Sequence, residues 1–151
     1  MAFLEKYLRV KISTLPGAGK GLFTTIDIPK GKRFVEYKGR IQPWSEVKDD
    51  DGRNGYLMYI NRYCVINAEP AIHTLGRYAN DARGFVRIDG LSNNSEYVSV
   101  GRRCYIEAIR DIKAGEEIFV GYGTAYWGLQ RKIARKKKKA AKKKTKRTKR
   151  L

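Results

Sequence analysis

The sequence predicts a single, mostly β domain followed by a short basic tail. Short runs rich in Val, Ile, Tyr and Phe alternate with Gly-containing breaks, and no stretch of the body shows long helical periodicity. The length of 151 residues is about that of one domain, and a hydrophobic content of 42% is enough for one modest core. The predicted strands are Leu8 to Ser13, Leu22 to Thr25, Arg33 to Tyr37, Tyr56 to Ile60, Tyr63 to Asn67, Tyr97 to Val100, Cys104 to Ala108 and Glu117 to Val120.

Positive charge is concentrated at the C-terminal end of the chain. The sequence holds 33 Lys and Arg against 15 Asp and Glu, a formal net charge of +18. Between Arg131 and Leu151 lie 14 basic residues and no acidic residue. We therefore divide the chain into a nearly balanced body, residues 1–130, and a basic tail, residues 131–151. Ala and Lys favour helix in the tail, but like charges four residues apart oppose it, so we expect a largely disordered tail, with helix as the alternative.

Composition and isolated residues exclude several classes of protein. Whole-chain disorder and a multi-domain enzyme do not fit the apolar content and length. No apolar run approaches the roughly 20 residues of a membrane helix, and the N-terminus lacks a signal peptide's apolar core, so we expect an intracellular protein without membrane contact. Cys64 and Cys104 form no CxxC pair and His73 stands alone, which disfavours a metal site and His-based catalysis. We expect both cysteines to be small buried side chains.

The Gly-rich run from Pro16 to Gly21 raises two nucleotide-binding hypotheses, and both fail. A P-loop requires Ser or Thr after the lysine, but Gly21 follows Lys20. A dinucleotide fingerprint opens a helix, whereas Leu22 to Thr25 predicts a strand. The remaining interpretation is a Gly-rich turn between strands, where a ligand can approach the backbone closely.

Several motifs, in order, resemble the SET domain, the fold of most protein lysine methyltransferases. The resemblance extends from Val10 to Trp127, nearly all of the body. It implies a β-clip fold of small curved sheets with short helices and a knot-like C-terminal closure. The matching segments are Gly19-Lys20-Gly21-Leu22-Phe23, Ile28 to Gly31 and Val35 to Gly39 at the opening, Arg77-Tyr78-Ala79-Asn80-Asp81-Ala82 for the family's RFINHS, and Ile109 to Gly123 for the motif that usually ends in ELTYDYG.

The resemblance implies transfer of a methyl group from S-adenosylmethionine to a lysine amine. In this family, the cofactor and the lysine enter a narrow channel from opposite sides. The attacking amine must be neutral although the pKa of a free lysine is about 10.4, and desolvation in an apolar channel favours the neutral form. The reaction mainly requires alignment of nitrogen, methyl carbon and sulfur, so no metal is expected.

The family's functional residues map onto matching positions of this sequence. Tyr122 matches the catalytic tyrosine, and Tyr37 matches a tyrosine that lines the lysine channel. Trp127 is the candidate for stacking on the adenine. The implied cofactor-binding residues are Gly19, Lys20, Gly21, Arg77, Asn80, Asp81, Tyr122 and Trp127. The implied channel residues are Tyr37, Tyr97, Phe119, Val120 and Tyr122. Structural alternatives remain for some of them: tyrosines that only pack, a turn role for Asn80, a core role for Trp127 and an ordinary hairpin at Gly19 and Gly21.

The sequence departs from the family's NHSCxPN pattern after Asn80. Asp81 stands where the family usually has histidine, and an insertion precedes Asn94, the candidate for the displaced second asparagine. Val120 stands where many members have Phe or Tyr, whose bulk limits the number of methyl groups. We expect Tyr97 to occupy that space and to restrict the enzyme to few methylations.

No cysteine cluster follows the closing motif, so a zinc-binding post-SET module is not expected. The segment Thr124 to Ile133 has Tyr126 and Leu129 at helical spacing and is the candidate that closes the cofactor site. The chain in this respect resembles the compact, stand-alone SET proteins of viruses and microbes.

The basic tail suggests a DNA or nucleosome partner, or nuclear targeting, although a solubilising terminus is the simpler alternative. A tail on DNA would raise the local concentration of chromatin substrates, so a histone is the first candidate substrate and the nucleus the expected location in a eukaryotic cell or host. A ribosomal or other basic protein, and a noncatalytic nucleic-acid-binding protein on a SET-like scaffold, remain alternatives. The lysines concerned are Lys136, Lys137, Lys138, Lys139, Lys142, Lys143 and Lys144.

Overall fold

The computed structural model describes residues 3–51, 53–84 and 86–149. Contacts between Cα positions divide the chain into two compact units, Met1–Gly121 and Tyr122–Leu151. The first unit contains all the described strands, and the second contains one long helix.

Nine strands in the described part of the chain form three antiparallel sheets of three strands each. The strand orders are β1-β2-β9, β3-β8-β7 and β4-β6-β5. Every predicted strand run overlaps an observed strand, and only β4 was missed. The strands are β1 (Leu8–Ile12), β2 (Lys20–Thr24), β3 (Arg33–Tyr37), β4 (Arg40–Gln42), β5 (Leu57–Asn61), β6 (Cys64–Asn67), β7 (Ser95–Val100), β8 (Arg103–Ala108) and β9 (Glu117–Ile118).

The helices of the first unit are short. A four-residue helix, α1 (Trp44–Val47), leads directly into a 3-10 turn, Lys48–Asp50. Further 3-10 turns cover Glu5–Tyr7 and Gly76–Tyr78. α1 buries the Val47 side chain.

The segment that contains β9 is held by three separate parts of the chain. Leu22 of β2 pairs with Ile118 in antiparallel register. Phe119 forms a parallel bridge with Asn80, and Val120 forms one with Ser95. The Val120 N–H donates to the Asn80 carbonyl at 2.8 Å. These pairings place the closing segment between regions that are distant in sequence, in agreement with the closure that the motifs implied.

The core consists mainly of aliphatic side chains, many of them from the strands. Phe34, Leu22 and Ile106 are fully buried, and burial of each such side chain contributes about 1.5–3 kcal/mol. A second cluster joins Tyr37 and Cys104 to Ile66, with Met58 and Tyr97 packed against it.

Both cysteines are buried thiols, as predicted. The pKa of the Cys104 thiol is raised to about 11, chiefly because the thiol is buried; a hydrogen bond with Ser99 opposes the increase, and the Glu36 charge adds to it. Because the thiolate is the reactive form, this thiol is inert at neutral pH.

Gly39 lies where no side chain fits. A Cβ at this position would lie 2.8 Å from the Ala68 amide nitrogen and closer still to the Asn67 carbonyl, all of them backbone atoms that cannot rotate away. Gly39→Ala should therefore lower the free energy of unfolding by about 3 kcal/mol. Gly121→Ala is the control, because its Cβ would meet only the Asn93 amide at 3.4 Å. Equal midpoints of denaturant unfolding for the two variants would contradict the expectation.

The second unit contains α2 (Thr124–Lys149), a helix of 26 residues. The spacing of apolar residues predicted the first turns of this helix. Repulsion between like charges predicted a largely disordered tail, but the described residues of the tail are helical throughout. Strong helix formers, chiefly Ala, Lys and Arg, fill the sequence from Leu129 onward without Gly or Pro. The helix is continuous across Gln130 and Arg131, where the tail was predicted to begin. Among the described helices, none has the length and apolar character needed to cross a bilayer.

Candidate active site

A tight Gly-rich loop, residues 13–19, connects β1 to β2 and confirms the predicted turn between strands. The Ser13 N–H donates to the Gly19 carbonyl at 2.8 Å and closes the loop. Gly17 and Gly19 have φ values of +76° and +71°, a left-handed conformation that disfavours other residues. A Cβ at either glycine would have no atom within 4 Å, so open space lies beside their backbone. A ligand can therefore approach the backbone of this loop.

Gly21 has a different reason to be glycine. A Cβ at this position would collide with the Glu117 carboxylate. That side chain is only 5% exposed and lies against the start of the loop, where it accepts hydrogen bonds from Ser13 Oγ (2.7 Å), Thr14 N (2.8 Å) and Thr14 Oγ1 (2.7 Å). Glu117 was not among the predicted site residues, because its place at the start of a predicted strand gives no sign of its contacts with Ser13 and Thr14.

Asn80 joins two of the predicted cofactor motifs. Its Nδ2 donates to the Lys20 carbonyl at 2.9 Å, and its own carbonyl accepts from Val120. Among the described residues, no hydrogen bond reaches Asn80 Oδ1. The structure thus brings Asn80 to the Gly-rich loop and leaves one polar atom of its amide available to a ligand.

Asp81 lies at the base of the insertion. Its buried carboxylate accepts hydrogen bonds from Asn93 Nδ2 (3.0 Å) and the Arg83 N–H (2.8 Å), while Asn93 Oδ1 accepts from the Ala82 N–H (2.8 Å). Asp81 and Asn93 therefore close the two ends of the insertion against each other. This structural role accounts for a carboxylate at this position, and its predicted cofactor contact stays a prediction.

Asn94 holds the closing segment in place. The side chain is 2% exposed, and its Nδ2 donates to the Glu117 carbonyl at 2.8 Å. Its Oδ1 accepts from the Phe119 N–H and the Ser95 hydroxyl. The amide thus fixes the segment that leads into the Gly121-Tyr122-Gly123 sequence.

Arg77 packs against aromatic rings on the other side of its motif. The guanidinium lies 3.9 Å from the centre of the Tyr56 ring, within the range of a cation–π contact. Its Nη1 donates to the Glu69 carbonyl at 2.8 Å. These contacts give Arg77 a structural role, and its predicted cofactor role stays a prediction.

Two of the predicted channel residues lie together. The Tyr37 and Tyr97 rings meet edge to face with centroids 5.8 Å apart. The Tyr37 hydroxyl donates to the Tyr56 carbonyl at 2.8 Å. Phe119, by contrast, packs with Leu15 beneath the Gly-rich loop. Val120 is fully buried.

Tyr122 belongs to an aromatic cluster at the start of the second unit. Its ring stacks on the Trp127 ring with a centroid distance of 5.9 Å and an interplanar angle of 11°. Tyr126 meets Tyr122 and Trp127 edge to face at 5.1 and 5.0 Å. Within this unit, the ring predicted to stack on adenine thus lies on the ring of the predicted catalytic residue.

In the described part of the chain, no group of three or more His, Cys, Asp or Glu side chains is arranged to hold a metal ion. The polar groups gathered around the Gly-rich loop are instead amides, hydroxyls and one buried carboxylate.

The sequence profile of the SET domain matches residues 19–123. With its small sheets and closing segment, the chain belongs to the SET domain family.

Curated proteins similar to this chain are named as lysine methyltransferases. Histone-lysine N-methyltransferase EZH2 of Chaetomium thermophilum is 33% identical over 133 residues, which cover 80% of this chain and 8% of that protein. N-lysine methyltransferase KMT5A of Xenopus tropicalis is 27% identical over 127 residues, covering 76% and 36%. Histone-lysine N-methyltransferase set-17 of Caenorhabditis elegans is 29% identical over 122 residues, covering 78% and 41%. The chain spans less than half the length of each of these relatives.

Two solved structures share the fold. The methyltransferase domain of human PR domain-containing protein 2 superposes with a TM-score of 0.58 at 24% identity and covers 82% of this chain and 88% of that one. A humanized mutant of the Chaetomium thermophilum Polycomb Repressive Complex 2, bound to an inhibitor, gives a TM-score of 0.65 at 28% identity and covers 87% and 16%. These likenesses confirm the fold that the motifs predicted.

Proposed function

We propose that this chain is a protein-lysine N-methyltransferase that uses S-adenosylmethionine. The observation that carries the proposal is the hydrogen bond from Asn80 Nδ2 to the Lys20 carbonyl, 2.9 Å long. It joins the Gly-rich loop to the Arg77–Ala82 motif, the two segments whose family counterparts hold the cofactor. The names of the relatives support the same activity.

The residues around the loop fit the methionyl end of S-adenosylmethionine. That end carries an ammonium and a carboxylate, so it requires both acceptors and donors. Asn80 Oδ1 is an acceptor that no described residue uses, and the backbone at Gly17 and Gly19 borders open space. When bound, S-adenosylmethionine supplies an electrophilic methyl group on a sulfonium.

The aromatic residues desolvate and orient the substrate lysine. Tyr37 and Tyr97 present ring surface that desolvates the side chain and lowers the pKa of its amine, which makes the nitrogen nucleophilic. The Tyr122 hydroxyl orients the amine, and positioning of this kind can lower the activation barrier substantially. Trp127 is the residue that we propose for contact with the adenine end of the cofactor.

Transfer of label from S-adenosylmethionine tests this function. The protein is incubated with isotopically labelled cofactor and, in parallel, with histones, nucleosomes, ribosomal proteins or a cell lysate. Label on lysine is the expected result. Cofactor binding without transfer to any of these substrates would favour the alternative of a noncatalytic scaffold.

Tyr97 restricts the product to few methyl groups, because its ring lies against Tyr37, which is the other tyrosine proposed to line the lysine channel. Tyr97→Phe removes only the hydroxyl and should shift the product toward higher methylation, read by mass spectrometry of the modified peptide. A wild-type enzyme that already makes mainly trimethyl-lysine, unchanged in the variant, would contradict this role.

Histone is the substrate that we propose, with DNA as the anchor. From Arg131 onward, the chain carries 14 basic and no acidic residues, and the described part of this stretch is helical. A helix with charge of one sign binds the phosphate backbone without sequence preference. Anchoring on DNA places the enzyme on chromatin, in the nucleus of a eukaryotic cell or host, where histone lysines are concentrated.

A further inference from the structure

Glu117 is a buried carboxylate whose hydrogen bonds all go to one short segment. In the described part of the chain, Asp81 is the other buried acidic residue. Oε1 of Glu117 accepts from the backbone N–H and the hydroxyl of Thr14, and Oε2 accepts from the Ser13 hydroxyl. Neither ion pair found among the described residues involves Glu117. Desolvation of a carboxylate is unfavourable, and here three hydrogen bonds from the loop offset that cost.

The hydrogen bonds continue from Glu117 into the rest of the Gly-rich loop. Ser13 Oγ, which donates to Glu117, also accepts from the Leu15 N–H at 3.1 Å. The Ser13 N–H closes the loop on Gly19. Glu117 thus fixes the two residues from which the exposed turn at Gly17 and Gly19 begins.

The opposite surface of the loop is held by apolar contacts. Leu15 belongs to a buried cluster with Ala82 and Phe119, and Ala18 packs against that cluster. Ile88 and Leu91, both from the insertion, pack there as well. Removal of the Glu117 carboxylate would therefore free the polar start of the loop while this apolar support remains.

We propose that Glu117 is a positioning residue for the cofactor: it holds the Gly-rich loop in the conformation that accepts S-adenosylmethionine before the ligand arrives. This inference rests on the proposed function. A loop that is already ordered loses less conformational entropy on binding, so loss of the anchor weakens binding rather than the chemical step.

Two substitutions separate anchoring from general damage. Glu117→Ala removes all three hydrogen bonds. Glu117→Gln keeps them, because its amide oxygen can accept from Thr14 while its NH2 donates to the Ser13 hydroxyl, which can rotate. Glu107→Ala is the matched control, since Glu107 is a partly exposed carboxylate of β8 that pairs with Arg33 at 3.2 Å.

Calorimetric titration with S-adenosylmethionine and with S-adenosylhomocysteine measures the effect. Glu117→Ala should raise Kd at least tenfold, Glu117→Gln less than threefold and Glu107→Ala less than twofold. In turnover assays, Glu117→Ala should raise KM for the cofactor while KM for the protein substrate stays unchanged. A folded Glu117→Ala protein with wild-type Kd, or a Glu117→Gln protein as impaired as Glu117→Ala, would overturn the inference.

A stability measurement does not depend on the cofactor. Gly21→Ala alone should destabilise the fold, because its methyl group collides with the carboxylate. The double variant, Gly21→Ala with Glu117→Ala, should lose less free energy of unfolding than the two single variants lose together. Additive losses would show that Glu117 does not occupy this space and would overturn the anchoring.

Hydrogen exchange separates the inference from the proposed function. If wild-type protein binds neither ligand, the proposed function fails, and anchoring is then judged by hydrogen exchange of the hydrogen-bonded amides of Thr14, Leu15 and Ala18. Exchange should be at least tenfold faster in Glu117→Ala than in wild type, and unchanged exchange overturns the inference. Should Glu117→Ala fail to fold, Thr14→Val, which removes a single hydrogen bond, replaces it with the same expected direction in Kd and exchange.

Discussion

Replacement of Tyr122 by Phe is expected to lower the rate of methyl transfer by about 100-fold or more, the usual effect of removing one hydrogen-bonding group aimed at a transition state. Phe retains the ring, so the stacking on Trp127 and the edge contact with Tyr126 remain. The substitution thus isolates the contribution of the hydroxyl. The proposed function requires that contribution to lie in kcat, with little change in the Kd of S-adenosylmethionine.

The matched control is Tyr126→Phe, which removes a hydroxyl from the same aromatic cluster. Its rate should stay within threefold of wild type. Both variants are assayed with labelled cofactor under single-turnover conditions, and circular dichroism checks that α2 is intact. Equal rates for Tyr122→Phe and wild type would exclude Tyr122 as the catalytic residue.

Truncation of the basic tail should lower the affinity for duplex DNA at least 100-fold at low salt. If the tail contacts eight to ten phosphates, the logarithm of the binding constant falls with the logarithm of salt with a slope of about −7 to −9. A chain that ends at Ile133 loses nearly all of these contacts, and its slope should approach zero. Fluorescence anisotropy with a labelled duplex, measured from 50 to 200 mM salt, gives both quantities.

A variant with reduced charge distinguishes the effect of tail charge from that of tail length. Lys136 to Lys139 and Lys142 to Lys144 are replaced by Gln, which keeps the helix and its length. Seven of the 14 basic residues lose their charge, so the slope should fall to about half of the wild-type value, while methylation of a free histone peptide stays at the wild-type rate. An unchanged slope in both variants would remove DNA anchoring from the proposal.

The strands were predicted well because they are short runs rich in Val, Ile, Tyr and Phe, and Gly-containing breaks separate them. Each of the eight predicted runs corresponds to a strand, with ends shifted by up to two residues. β4 was missed because three residues, Arg40–Gln42, are too few to show alternation. Helix α2 was predicted only at its start, because repulsion between like charges was expected to prevent helix in its later turns. The structure shows that this repulsion does not prevent helix there.

Some residues of the candidate site were selected by motif resemblance and not by local composition. Motif resemblance selected the Gly19–Gly21 run and Asn80, and the structure places them in contact. Glu117 was missed because its partners, Ser13 and Thr14, lie more than 100 positions earlier in the chain. No local pattern encodes a contact of that range. The need for glycine at position 21 could not be predicted for the same reason, because it depends on the space that the distant Glu117 carboxylate occupies.

The position of the closing segment also has a consequence for biosynthesis. Ile118, Phe119 and Val120 pair with Leu22, Asn80 and Ser95, so the sheet that begins with β1 lacks its last strand until almost the whole body has been translated. Pairing between such distant segments is slow and leaves apolar strands exposed in the meantime.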